Sequence, residues 1–131
     1  MIFVDSNIPM YLVGAEDSQK AEARGLVERC VGSEERLVTD AEALQEILHR
    51  YVAIRRPEAI QPAFDALLGI VDEVFPIEEK DVDRAKTIVL GTNRLSARDA
   101  IHLATMESHG VMKILSFDAG FDGFPGVSRV S

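Results

Sequence analysis

The sequence predicts an α/β fold, a parallel β-sheet flanked by helices on both faces. Three observations carry that prediction. Short runs of strand-forming residues alternate with helix-patterned segments along all 131 residues. The first run, Ile2-Phe3-Val4, has no polar position, as a strand buried on both faces requires, and it stops abruptly at Asp5-Ser6-Asn7. A late run, Ile114-Leu115-Ser116-Phe117, stops at Asp118 in the same way. Sites in open α/β sheets form at the carboxyl edge of the strands, which is where both acids are expected.

The elements follow in order. Pro9 suits the first turn of a short helix, which Gly14 stops. A second helix starts at Ser18 and ends at Gly32, with an apolar face of Ala21, Leu26, Val27 and Cys30 or Val31. Leu37-Val38-Thr39 is a strand. Thr39 or Asp40 caps the next helix, and Thr39 with Glu42 has capping-box spacing. That helix runs to about Arg55 on a face of Leu44, Ile47, Leu48 and Tyr51, and Arg56-Pro57 breaks it. A further helix carries Ala63, Phe64, Leu67 and Leu68 to Gly69. The proline in Val74-Phe75-Pro76-Ile77 favours an edge strand. Glu79 to Leu90 is helical, with Val82, Ala85, Ile88 and Val89 apolar. Ser96 caps a helix through Ala100, Ile101, Leu103 and Ala104 that ends at His109-Gly110. Lys113 to Ser116 and Val127 to Arg129 are the last strands.

At this length the chain is expected to be one domain, residues 1–131. A lone cysteine, Cys30, suits a reducing cytoplasm, and no run approaches a membrane span. The formal charge of −8 disfavours a protein that coats nucleic acid through a broad basic face. It does not exclude a nucleic-acid substrate, because four of those charges belong to acids that bound divalent metal would offset locally. Ten of the 14 basic residues are arginines, the better phosphate partners.

Four carboxylates are candidates for one cleft. Asp5 follows a buried strand, where an ionised acid is costly unless paired, although it also fits a turn or cap. Glu46 lies, with Glu42, away from the predicted apolar face, as a solvated helix acid would. Asp99 sits three residues after Ser96 and fits a helix-capping role as well as a ligand role. Asp118 follows a strand and also fits an ordinary turn. Asp122 is an optional fifth acid. Asp40, Asp65, Asp72, Asp81 and Asp83 read as caps and solvated faces. His49, His102 and His109 lack zinc-ligand spacing, and His102, one turn beyond Asp99, reads first as a packed or partly exposed helix residue. The simplest reason to gather four carboxylates is a divalent cation, and oxygen-only ligands favour Mg²⁺ or Mn²⁺ over zinc. A phosphoryl-transfer protein using Asp5 as nucleophile is a rival, but the haloacid-dehalogenase class expects an aspartate where Asn7 stands. A noncatalytic RNA- or protein-binding module is another.

Four motifs in this order resemble a PIN-domain protein, and more narrowly the VapC-type ribonuclease toxins of VapBC toxin–antitoxin systems. They are Val4-Asp5-Ser6-Asn7, Glu46 within Leu44 to Leu48, Ser96 to Ala104, and Ser116 to Asp122. The resemblance implies a sheet of about five parallel strands and Mg²⁺- or Mn²⁺-dependent cleavage of RNA, often transfer RNA. It makes Asp5, Glu46, Asp99 and Asp118 the metal-binding quartet and selects Glu46 over Glu42. Asn7, Ser96 and Ser116 become supporting groups and Asp122 an accessory acid. It further implies a homodimer and a cognate antitoxin that covers the site. Arg94 and Arg98, just ahead of Asp99, are candidate RNA phosphate contacts.

Overall fold

The computed structural model describes residues 1–130. Its strands are β1 (Ile2–Val4), β2 (Leu37–Asp40), β3 (Glu73–Phe75), β4 (Lys113–Leu115) and β5 (Ser128–Val130). Its α-helices are α1 (Asn7–Leu12), α2 (Ser18–Gly32), α3 (Ala41–Ala53), α4 (Ile60–Ile70), α5 (Glu79–Leu90) and α6 (Ala97–Ser108). Among the described residues the strands form one sheet, all neighbours parallel, in the order β3-β2-β1-β4-β5. The chain builds outward from β1 through β2 to β3, then crosses back to lay β4 on the other side of β1. That reversal opens a crevice at the carboxyl ends of β1 and β4, the switch point where α/β folds place ligands.

Each central strand is buried on both faces, so its side chains divide by the two-residue period. Ile2, Val4, Leu37 and Leu115 join Ile8, Leu26, Val27, Ile47 and Leu67 in a core beneath α1 to α4. Phe3, Val38 and Ile114 join Phe75, Ile88, Leu103 and Met106 in a second core beneath α5 and α6. Gly110, at φ +69°, ends α6 in a left-handed conformation that costs glycine nothing, and Val111 N–H then returns to the Met106 carbonyl at 2.9 Å.

Several helix faces are rotated from their sequence-based phase. In α3 the buried residues are Ala43, Ile47 and Tyr51, whereas Leu48 is 46% exposed and Leu44 only partly covered. Ala43, a small residue, faces the core, and an apolar count weighted toward leucine places the face too far round. In α2, Ala23 is buried in place of Ala21, and Val31 is exposed. In α5, Val82 is 49% exposed. Helix α3 ends at Ala53, before the predicted Arg55, which takes a φ of +58°.

The Thr39–Glu42 capping box does not form. Thr39 Oγ1 donates instead to the Val4 carbonyl at 2.8 Å, cross-linking β2 to β1, and Asp40 Oδ1 accepts from Ala43 N–H at 2.9 Å as the cap of α3. Asp40 and Asp81 therefore do cap helices, but neither is solvated: both are buried.

Candidate active site

Strand β1 ends by turning Asp5 inward at the carboxyl edge of the sheet. One of its oxygens accepts from Ser6 N–H at 2.8 Å. The other accepts from Ser116 Oγ at 2.6 Å and lies 3.4 Å from Asn7 Nδ2. Ser116 ties the two strand ends together, since its Oγ also accepts from Asn7 Nδ2 at 3.2 Å and from Asp118 N–H at 2.9 Å. The Asn7 Oδ1 in turn faces Phe117 N–H at 3.4 Å. The similarity of the two strand ends in sequence thus becomes one bonded unit built from residues 5–7 and 116–118.

Helix α3 brings Glu46 to this unit. Its Oε2 accepts from Ser6 Oγ at 3.0 Å, and its Oε1 is held by His102 Nε2. His102 comes from α6 and is wholly buried, with Nδ1 2.9 Å from Asp40 Oδ2 and Nε2 3.8 Å from Asp5 Oδ1. Thr105 Oγ1 donates to the same Asp40 oxygen at 2.7 Å. Burial, the largest influence on this imidazole, opposes a charge there. The carboxylates of Asp40 and Glu46 outweigh it and hold its pKa well above the usual histidine range. Both ring nitrogens lie against carboxylates, an arrangement that favours the imidazolium form.

Asp5, Glu46 and His102 offer ligand atoms that all lie within 4.8 Å of one another. Asp99 and Asp118 stand outside that tight group but within its field. Burial pushes the Asp99 carboxyl up to about 6, helped by repulsion from Asp5 and Asp118 and, more weakly, from Glu46. Burial also raises the Asp5 carboxyl, against the pull of His102 and the Ser116 hydroxyl. Asp118 is exposed, with Oδ1 accepting from Gly120 N–H at 2.8 Å. Burial first, and repulsion among the acids second, disfavour these charges, and a cation would relieve the repulsion. Because both imidazole nitrogens already face carboxylates, the open donors are carboxylate oxygens, a set suited to a hard divalent ion.

The remaining predicted positions divide. Ser96 Oγ accepts from Asp99 N–H at 3.1 Å, so this hydroxyl starts α6 and fixes the backbone of Asp99. Asp122 is gripped by Arg129, through Nε at 2.8 Å and Nη2 at 3.0 Å, while Nη1 reaches the Ser116 carbonyl at 3.3 Å. Arg94 and Arg98 are exposed. Sequence reasoning gave no role to Ser6 or Thr105; it read Asp40 as a cap and His102 as packed, which both are, and missed the bonds that join them to Glu46. One signal for Asp40 was present: like Asp5 and Asp118, it stands at the carboxyl end of a short strand-forming run.

The comparisons with known proteins agree with this architecture. A family model described as PIN domain matches residues 2–127. Ribonuclease VapC13 of Mycobacterium tuberculosis is 59% identical over 131 residues, 100% of each chain. The crystal structure of Mycobacterium tuberculosis VapC20, described as a sarcin-ricin loop cleaving toxin, has a TM-score of 0.76 at 22% identity, covering 97% of this chain and 98% of that one. A chain of a toxin–antitoxin complex from Klebsiella pneumoniae has a TM-score of 0.68 at 19% identity, covering 98% and 96%. These two structural likenesses speak to the fold.

Proposed function

The chain belongs to the PIN-domain family, and from that premise we propose that it is a divalent-metal-dependent ribonuclease of the VapC type, the toxin of a type II toxin–antitoxin pair. The observation that carries the reading is the buried Asp5 and half-buried Glu46 at the sheet's switch point, with Asp99 close enough to feel both. In this reading Asp5, Glu46, Asp99 and Asp118 hold Mg²⁺ or Mn²⁺. The bound cation supplies positive charge that favours deprotonation of the attacking water and offsets charge developing on the leaving oxygen.

The chain's own residues do the positioning. Ser116 and Asn7 fix the Asp5 carboxylate, and Ser6 and His102 fix Glu46. Ser96 sets the backbone from which Asp99 projects. Arg98, exposed in the first turn of α6, is in this reading a phosphate contact. Arg98→Ala is expected to weaken RNA binding several-fold and to lower the salt slope by about 1, with turnover at saturating RNA little changed. Equal affinity of the two proteins across a salt series would remove Arg98 from the RNA surface.

The raised Asp99 carboxyl gives a pH signature. Its ordinary pKa of 3.8 rises to about 6 in the metal-free fold, so between those values the folded state holds the extra proton. Metal-free stability should therefore fall as pH rises from about 4 through about 6. A cation competes with that proton, so Mn²⁺ affinity should rise over the same window. Calorimetric titration with Mn²⁺ at about pH 5 and about pH 7.5 checks this, and an affinity that does not change would contradict it.

The substrate in this proposal is RNA, and cleavage of a structured RNA pool with Mn²⁺ or Mg²⁺, abolished by EDTA, is the direct test. A cognate antitoxin is the natural inhibitor, covering the acidic cleft with its C-terminal segment. A second copy of the chain would cover the apolar groove between α5 and α6, where Val82, Leu90 and Ile101 lie. Among the described residues no helix is long and apolar enough to cross a membrane, and the proposed setting is the cytoplasm, where RNA and antitoxin are both present.

A further inference from the structure

A cavity of about 450 Å³ opens beside the acids, on the α5–α6 side of the sheet. Its wall nearest the acids is Gly120, whose N–H holds Asp118 Oδ1 at 2.8 Å. The cavity therefore begins two residues from the acid that follows β4. Thr87 of α5, Arg94 of the segment leading into α6, and Phe124 of the turn after Asp122 complete the walls that bear on its chemistry.

The charges lining it are unequal. Arg84 is held by both oxygens of Glu107, with Nε 3.2 Å from each and Nη2 3.1 Å from one. Arg94 enters no ion pair among the described residues; its Nη2 instead lies 4.0 Å from where a Cβ on Gly123 would sit. On a chain of net charge −8, one free guanidinium next to an acidic cleft is a local attractor for an anion. Phe124 is only partly buried at the margin of the second core, leaving ring surface to the cavity. A volume of this size lies within the range of small-molecule sites. An aromatic ring, a free arginine and a hydroxyl are the set that binds a nucleotide: stacking for the base, a fork of donors for the phosphate, and a hydrogen bond for the base edge.

We propose that this cavity receives one nucleotide adjacent to the scissile phosphate, with its base on Phe124 and its phosphate on Arg94, and so selects where RNA is cut. The proposal rests on the nuclease reading above and adds a specificity site to it. It also separates two tasks: the acids carry out the chemistry on any phosphodiester, and the cavity chooses among them.

Two experiments test it. In the first, the four nucleoside 5′-monophosphates are titrated separately into ¹⁵N-labelled full-length protein in EDTA. Amide shifts at Thr92, Gly120 and Phe124 are expected to saturate with at least one of them. Arg94→Gln and Phe124→Leu should each weaken that binding about tenfold, while Phe124→Tyr, which keeps the ring, should retain it. Leucine preserves apolar packing, and circular dichroism verifies the fold of each variant. In the second, wild type, Phe124→Leu and Phe124→Tyr cut a random-sequence RNA pool in Mn²⁺, and the new ends are sequenced. A nucleotide preference at one position beside the cut should flatten in Phe124→Leu and persist in Phe124→Tyr.

Unshifted cavity amides with all four nucleotides would overturn the proposal. So would nucleotide binding with unaltered cleavage positions, which would make the cavity a free-nucleotide site. A wild type that cuts nothing with any divalent cation would remove the nuclease reading, and the RNA role with it, whatever the first experiment shows.

Discussion

Asp5→Asn is expected to lower metal-dependent RNA cleavage by about a hundredfold or more while leaving the fold intact, because metal-based charge stabilisation is worth several kcal/mol. The substitution removes one negative charge and almost no volume. Its amide oxygen can keep the bond from Ser6 N–H, and the backbone bond from residue 5 N–H to the Leu115 carbonyl, just past β1, is untouched. The metal-free protein should tolerate the change, because burial already disfavours the Asp5 charge and Glu46 adds repulsion. Activity and stability are thus expected to move independently, which distinguishes a ligand from a packing residue. Mn²⁺ binding by calorimetry should weaken in parallel with cleavage. A variant that still cuts RNA at more than about a tenth of the wild-type rate, with its fold verified by circular dichroism, would remove Asp5 from the metal site. Loss of cleavage with undiminished metal binding would assign Asp5 to substrate positioning instead.

The legible parts of this fold were those where one residue type had one physical option. Ile2-Phe3-Val4 can satisfy its apolar side chains only as a strand covered on both faces, and β1 is central in the sheet. Pro76 kept its segment off the sheet's interior, and β3 is one of the two edge strands. Ser96 and Gly110 punctuate α6 as their capping chemistry dictates. The helix phases were less legible, because the buried face of α3 is decided by what it packs against and not by its own apolar count: Ala43 lies inward while Leu48 is exposed. For the same reason the wheel could not favour Glu46 over Glu42. With Ala43, Ile47 and Tyr51 inward, Glu46 sits on the flank that faces α6, and only the packing of α3 against α6 reveals it.

The candidate site divides along the same line. Acids at strand ends could be read because strand, edge and charge follow one another in sequence. The Asp40–His102–Glu46 chain joins residues 62 and 56 positions apart, and no local pattern encodes it. Asp40 had an adequate local explanation as a cap, and that explanation is correct as far as it goes: one oxygen caps α3 while the other faces His102 and Thr105. A side chain with two jobs shows only the local one in its sequence.

His102→Leu is expected to destabilise the metal-free protein by about 3–5 kcal/mol at neutral pH, the cost of stripping one partner from a buried charge network. Leucine replaces the packing against Phe3, whose ring centroid lies 5.0 Å from the imidazole, so the loss should be electrostatic. Asp40, wholly buried, would keep only Thr105 Oγ1 on its Oδ2, and Glu46 would face Asp5 with no cation between. Adding Asp40→Asn removes one stranded charge while sparing the cap, so the double variant should be more stable than additivity predicts, by about 0.5–3 kcal/mol. The sign with pH is fixed by the raised pKa of His102. Its contribution is complete below the unfolded value of 6.5 and disappears as pH rises through the folded value. The gap between wild type and His102→Leu should accordingly narrow as the wild type loses its imidazolium at alkaline pH. Divalent metal should narrow it from the other side, because a cation held by Asp5 and Glu46 replaces part of the lost charge. Urea denaturation of wild type and both variants, across pH and with Mn²⁺ or EDTA, measures all of these differences. A loss below about 1 kcal/mol, or one indifferent to both pH and metal, would mean that His102 merely fills space and that Glu46 is held by other means.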